Sequence, residues 1–249
     1  MLQELLPEPE VQGLLELMLL YESRRATRSG VDGEVILLEA QDRSVWGREL
    51  IAEGGALVLQ ALHSRRFGPY SLQAAIASVH AEAASLEDTD WVQIVGLYDE
   101  LLRLNPSLVI ELNRAVALAM RDGLETGLQQ IDRLLAMGEL DGYHLAHAAR
   151  ADLLRRLGRR EQAIAAYRQA LALAQQGPDR QFLQRRLEEL GDTRVRCMHR
   201  DSSVHTLGAH GAPYGAGVLS PPPIRESLPG AGQPCRTSPG SVRAARAGR

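Results

Sequence analysis

The residues of this chain that could do chemistry are few and lie far apart. His144 and His147 are three residues apart on a predicted helix, a spacing that metal-binding imidazoles use, but no third ligand is near them in the sequence. A partly buried pair between helices is the simpler interpretation. Cys197 and Cys235 lie in a region without zinc-ribbon spacing. No phosphate-binding, dinucleotide-binding or zinc-protease motif occurs. We therefore expect no catalytic residue, no metal, no cofactor and no enzyme activity.

The most distinctive cluster of side chains lies at a predicted junction between a loop and a helix. It contains Gln41, Asp42, Arg43 and Trp46 within six residues. One interpretation is structural, with capping and ionic contacts around a buried tryptophan. The other is a docking surface, because tryptophan and arginine are enriched in binding hot spots. The sequence leaves both interpretations open.

A second candidate motif is the turn formed by Gly68, Pro69 and Tyr70. It precedes a predicted helix, and glycine followed by proline is a common helix start. A turn that leads into a helix explains this motif well. We keep the three residues as candidates for an interaction or structural role.

These candidates must be positioned by a series of predicted helix pairs. Apolar residues recur with the helical period, and Asp90 and Gly158 mark a helix start and a helix end. The predicted pairs are 71–84 with 91–104, 108–121 with 125–137, and 143–157 with 160–174. Their second helices align on Ile94, Gly127 and Ala163, which are 33 and 36 residues apart, close to the tetratricopeptide period. The predicted fold is all-α, a right-handed superhelical array of antiparallel helix hairpins.

The predicted organisation has three parts. Residues 1–70 form an N-terminal helical part, and residues 71–190 form the repeats with a closing helix. Residues 191–249 lack apolar periodicity and are rich in Pro, Gly, Ser and Arg, so we expect a disordered tail. The abrupt change in composition suggests a frameshifted or read-through end.

Within the N-terminal part the pattern predicts two helices and an extended run between them. The helices cover residues 10–27 and 44–65, and the apolar run covers residues 35–39. Asp42 or Ser44 is the expected cap of the second helix.

The charge distribution bears on the class of partner. All 28 basic residues are arginine, and eight of them lie in residues 192–249 with three acidic residues. The first 191 residues hold 20 arginines and 28 acidic residues, and this acidic balance argues against strong binding to nucleic acid. No membrane-spanning run or signal peptide is recognisable, so we expect a cytoplasmic protein.

Four stretches together resemble a set of bacterial extracytoplasmic-function RNA polymerase sigma factors that carry a long tetratricopeptide-like C-terminal extension. The resemblance covers about residues 1–190, and Val45 and Gly47 depart from the usual polar residues. The stretches are 9–28 (PEVQGLLELMLLYESRRATR), 37–54 (LLEAQDRSVWGRELIAEG), 68–83 (GPYSLQAAIASVHAEA) and 88–107 (DTDWVQIVGLYDELLRLNPS).

The resemblance implies a regulatory, protein-interaction domain that acts in transcription initiation. Sigma regions two and four, which bind promoter DNA, are absent from this chain, so we expect no direct contact with nucleic acid. The partners implied are the RNA polymerase core, sigma regions two and four, or a regulatory protein. The alternative is a free-standing helical-repeat interaction module without sigma activity, which binds a peptide or helix in the groove that stacked hairpins form.

Overall fold

The all-α fold is confirmed in a computed structural model, which describes residues 9–30, 35–65, 67–175 and 177–191. Its α-helices are α1 (Pro9–Ser23), α2 (Arg48–Ser64), α3 (Pro69–Glu82), α4 (Trp91–Leu104), α5 (Leu108–Asp122), α6 (Leu124–Ala136), α7 (His144–Arg156), α8 (Arg160–Leu173) and α9 (Gly177–Glu189). Short 3-10 turns at Arg25–Thr27, Leu38–Ala40 and Arg43–Val45 lie between α1 and α2. The predicted tail lies outside the described residues, apart from Gly191.

The N-terminal core forms where α1, α2 and α3 pack together. Gly54 of α2 permits close contact with α1, because a Cβ atom there would lie 3.0 Å from Leu20. The buried apolar residues of this core include Leu17, Leu20, Trp46, Ile51, Val58, Ala74 and Ala75. Helix α3 also contributes Leu72 and Ile76 to the next core, so it belongs to both sides of the predicted boundary at residue 70.

The predicted helix pairs form the hairpins α3–α4, α5–α6 and α7–α8. The aligned anchors Ile94, Gly127 and Ala163 are all buried. Close packing explains the glycine, because a Cβ atom at Gly127 would lie 2.3 Å from the Ala119 Cβ atom. The next aligned positions are also buried, and they are Tyr98, Ile131, Tyr167, Leu101, Leu134 and Ala170.

Two predicted helix ends are confirmed at the atomic level. Asp90 caps α4, since its Oδ1 atom accepts a hydrogen bond from the Gln93 amide at 2.9 Å. Gly158 follows α7 with a φ of 74°, the left-handed conformation in which glycine is favoured.

The predicted bounds in the N-terminal part need correction. Helix α1 ends at Ser23, and a 3-10 turn replaces its predicted last residues. Asp42 caps the 3-10 turn Arg43–Val45, whereas α2 begins only at Arg48 after Gly47. Because Asp42 bonds locally to Ser44, its side chain stabilises a separate turn and not the helix that the pattern predicted.

Candidate interaction surfaces

Trp46 lies inside the N-terminal core and is only 3% exposed. Its Nε1 atom donates a hydrogen bond to Thr27 Oγ1 at 3.0 Å. The guanidinium carbons of Arg24 and Arg43 lie 5.8 Å and 5.2 Å from its ring centre, within the range of cation–π attraction. Its indole therefore connects the end of α1 to the junction before α2 and is not available to a partner.

Arg43 joins the same junction to the end of α3. Its Nη1 atom donates to the carbonyl oxygens of His80 at 2.9 Å and Ala83 at 2.7 Å, which are acceptors that the end of a helix leaves unpaired. Burial, with the charges of Arg24 and Arg43, lowers the pKa of His80 to about 3, so this histidine is neutral. The His80 ring packs edge-on against Trp91 with centroids 5.3 Å apart.

Gln41 and Asp42 complete the junction in different ways. The Gln41 Nε2 atom donates to the Ile36 carbonyl at 3.0 Å, and its Oε1 atom accepts from Thr27 Oγ1 at 3.3 Å. Asp42 is exposed, and two hydrogen bonds from Ser44 lower the pKa of its carboxyl group. The contacts of Gln41, Arg43 and Trp46 give this junction a structural role. A docking role for it stays a prediction.

The Gly68–Pro69–Tyr70 turn joins the start of α3 to the start of α1. The Tyr70 amide donates to Glu10 Oε2 at 3.1 Å. A Cβ atom at Gly68 would lie 2.5 Å from the Glu10 carboxyl carbon, so a larger residue there would require the Glu10 carboxylate to move. The turn positions helices, and an interaction role for it also stays a prediction.

Glu16 is a residue of interest that the sequence reasoning missed. Its side chain is fully buried in α1, and neither carboxylate oxygen has a hydrogen-bond partner among the residues that the structure describes. Burial, with a smaller contribution from Glu10, raises the pKa of Glu16 to about 7. The available signal was an acidic residue within the apolar run LLELMLL.

A second feature that the sequence did not indicate is the path of residues 35–41, called here segment 35–41. Val35 and Leu37 are 6% and 5% exposed, and they belong to the apolar core formed by α5 to α9. Leu38, by contrast, belongs to the N-terminal core. Segment 35–41 therefore joins the two cores and covers a surface of the repeat array. The predicted extended run is an isolated bridge between Ser29 and Val35, followed by the 3-10 turn Leu38–Ala40.

Charged residues of α7 and α9 surround the acidic residue of segment 35–41. Arg155, Arg156 and Arg186 attract the Glu39 carboxylate, whereas Asp152 repels it. Burial is the largest influence, and the pKa of Glu39 is raised overall. Arg156 also contacts α5, because its Nη1 atom lies 3.3 Å from the Met120 sulfur. The surface under the segment is thus apolar, and both acidic and basic groups lie near Glu39.

The outer face of α1 is a separate apolar surface. Its five apolar residues follow helical spacing, and none of them is classed as buried. Met18 at the middle of this face is 58% exposed. The residues of this outer face are Val11, Leu14, Leu15, Met18 and Leu19.

The two helical histidines make separate contacts. His147 Nε2 donates to the Asp141 carbonyl at 2.9 Å, and His144 Nε2 lies 3.4 Å from Asp179 Oδ2. In the described part of the chain, no three His, Cys, Asp or Glu side chains form a group that could hold a metal ion. Among the described helices, none is both long and apolar enough to cross a membrane.

Residues 1–62 match the model of DUF6596, a family of unknown function. The match spans α1, the junction at Gln41 to Trp46 and nearly all of α2. Over 184 residues the chain is 45% identical to an uncharacterized protein of Rhizobium meliloti (strain 1021), a region that makes up 74% of this chain and 43% of that protein. The chain thus spans less than half the length of this curated relative. No solved structure matches the chain.

Proposed function

We propose that this chain is the helical-repeat regulatory domain of a bacterial extracytoplasmic-function sigma factor. In this proposal it acts through protein contacts with the RNA polymerase core, with sigma regions two and four, or with a regulatory protein. Three observations support it: the resemblance of four stretches in order, the acidic balance of the first 191 residues, and a relative much longer than the matched region. The extra length of that relative leaves room for DNA-binding regions outside this chain.

The observation that carries the proposal is the partly exposed apolar face of α1, centred on Met18. A helix in a folded domain normally has one apolar stripe directed into its core. Helix α1 has its core side at Leu17 and Leu20, and a second stripe centred on Met18 faces outward. A partly exposed apolar stripe with an exposed methionine at its centre is suited to a protein contact. We assign it to the sigma regions of the longer protein.

A binding measurement with matched variants tests this assignment. The chain is combined with core RNA polymerase, and separately with purified regions two and four of a sigma factor that carries this type of extension. We expect Met18→Glu to weaken binding to the sigma regions by about tenfold or more, because a charge then enters an apolar contact. Val92→Glu is the control, since Val92 is 67% exposed but lies on α4.

The outcomes separate the two functions considered for this chain. Loss of binding in Met18→Glu alone supports the sigma-factor role and the outer face of α1. Equal loss in both variants contradicts the assignment to that face. A chain that binds neither the polymerase core nor the sigma regions contradicts the sigma-factor role and favours a free-standing interaction module.

A further inference from the structure

Three arginine side chains lie close together where the end of α1 packs against the junction before α2. Arg24 and Arg43 both lie against the Trp46 ring, with their guanidinium carbons 5.8 Å and 5.2 Å from its centre. Arg28 follows Arg24 by four residues, and its charge acts on the Arg24 guanidinium. Arg24, Arg28 and Arg43 are called here the arginine cluster. Like charges at short range repel one another, so an anion placed among them would be stabilised.

Acidic side chains do not pair with the arginine cluster in the part of the chain that the structure describes. None of its members forms a salt bridge with a described residue. The charge of Asp88 attracts Arg43, but Asp88 is exposed and accepts a hydrogen bond from Ser85 at 2.7 Å. Glu22, at the end of α1, pairs with Arg25 at 3.1 Å. The positive charge of the cluster is therefore left without a carboxylate partner there.

Buried nitrogen atoms beside the arginine cluster have no hydrogen-bond partner among the described residues. Arg43 is 8% exposed, and its Nη2 atom is unpaired although Nη1 donates to the His80 carbonyl at 2.9 Å. His80 is 3% exposed, and both of its ring nitrogens are also unpaired. Buried polar atoms without a partner are rare in native proteins, and a bound ion is one explanation for them.

We propose that a small oxyanion of the phosphate type binds at the arginine cluster, held by the guanidinium groups of Arg24 and Arg43. Guanidinium groups match the geometry of phosphate oxygens and form charge-assisted hydrogen bonds with them. A doubly charged anion also offsets the repulsion among three cations better than a single carboxylate does. Because Arg43 and His80 are buried, the site suits a small anion and not a nucleic-acid backbone. This inference is independent of the sigma-factor role, because it concerns the junction alone.

Titration of the full chain with phosphate tests the proposal. Both tryptophans border the site, because Trp46 contacts two guanidinium groups and the Trp91 ring lies 5.3 Å from that of His80. Tryptophan fluorescence is measured at pH 7 as sodium phosphate replaces sodium chloride at constant ionic strength. We expect a saturable change with a dissociation constant of about 1 mM. The melting temperature should rise by about 3–5 °C at about 10 mM phosphate.

Matched variants identify the residue responsible. Arg24→Met removes a guanidinium that makes no hydrogen bond to a described residue, and it should abolish both the fluorescence change and the rise in melting temperature. Arg103→Met is the control with the same loss of charge, because the Arg103 side chain is 71% exposed on α4. It should respond like the natural chain. Arg24→Lys keeps the charge but loses the planar group, so it should bind phosphate about three- to tenfold more weakly.

The outcomes decide the proposal in either direction. A natural chain with the same fluorescence and melting temperature in phosphate and in chloride overturns it. A folded Arg24→Met variant that responds like Arg103→Met also overturns it, since the anion then binds elsewhere. If far-ultraviolet circular dichroism shows that Arg24→Met does not fold, Arg24→Lys decides, and phosphate affinity equal to that of the natural chain overturns the proposal.

A parallel titration with methyl phosphate distinguishes two sources of the anion. Tighter binding of inorganic phosphate identifies the free ion as the ligand. Equal or tighter binding of methyl phosphate identifies a phosphate group carried by a small molecule. Binding of neither probe overturns the proposal.

Discussion

Arg43 connects parts of the chain that are distant in sequence. Its two hydrogen bonds reach carbonyl groups 37 and 40 residues away, at the end of α3. Sequence reasoning selected Arg43 because of its type and its neighbours, but no local pattern specifies those acceptors. The same limit applies to Trp46, whose burial between Arg24 and Arg43 depends on the packing of α1.

We predict that Arg43→Met lowers the free energy of unfolding by about 2–3 kcal/mol, because two charge-assisted hydrogen bonds to the end of α3 are lost. Urea denaturation measures this change. Arg48→Met is the control, since Arg48 is exposed on the first turn of α2 and its replacement should change stability by less than about 0.5 kcal/mol. Equal effects of the two substitutions would contradict the role of Arg43.

Glu16 predicts a specific dependence of stability on pH. Its pKa is raised from 4.5 to about 7, so folding disfavours its ionised form. The contribution of Glu16 to the free energy of unfolding is therefore most favourable below pH 4.5 and declines as the pH rises toward 7. Above that pH, the buried ionised carboxylate lowers the free energy of unfolding by up to about 3 kcal/mol. We expect Glu16→Gln to remove this decline and to stabilise the chain at pH 8.

Urea denaturation at several pH values between 4.5 and 8 checks the Glu16 prediction. Glu22→Gln is the control, because Glu22 is exposed on the same helix and pairs with the exposed Arg25. It should leave the pH profile nearly unchanged. A Glu16→Gln variant that keeps the profile of the natural chain would show that burial of this carboxylate is not the cause.

At the scale of helices, the two glycines inside α6 and α4 have opposite roles. A Cβ atom at Gly127 would lie 2.3 Å from Ala119 Cβ and 2.7 Å from the Ala115 carbonyl oxygen, whereas one at Gly96 would meet nothing within 4 Å. We predict that Gly127→Ala lowers stability by about 1–3 kcal/mol through overpacking, despite the higher helix propensity of alanine. Gly96→Ala should raise stability by about 0.5–1 kcal/mol, and thermal denaturation compares the two. Stabilisation by both substitutions would contradict the close packing of α5 and α6.

The helices themselves could largely be predicted, because each is specified by nearby residues. The period of apolar residues, the Asp90 cap and the Gly158 end are local signals, and the aligned anchors placed the buried positions of the hairpins. Local signals failed between α1 and α2. The apolar run at residues 35–39 reads as an extended segment, but its partner Arg185 is 150 residues from Val35. Nothing close to Val35 in the sequence specifies that contact.

At the scale of the whole molecule, we expect segment 35–41 to couple the unfolding of the N-terminal part to that of the repeat array. Leu37 enters the core of the array, and the adjacent Leu38 enters the core that contains Trp46. Opening of either core is then expected to disturb the packing of the other. Removal of one attachment should therefore reduce cooperativity as well as stability.

We predict that Leu37→Ala costs about 2–5 kcal/mol, as for other buried leucines, and separates the unfolding of the two cores. The test uses a Trp91→Phe background, so that fluorescence reports Trp46 in the N-terminal core while far-ultraviolet circular dichroism reports all helices. The two transitions should coincide in this background and should occur at different urea concentrations after Leu37→Ala.

Leu59→Ala is the control, because Leu59 is 58% exposed on α2 and should leave the transitions coincident. If Leu37→Ala moves both transitions equally, the two cores remain coupled through α3, which contributes to the N-terminal core and to the core of the first hairpin.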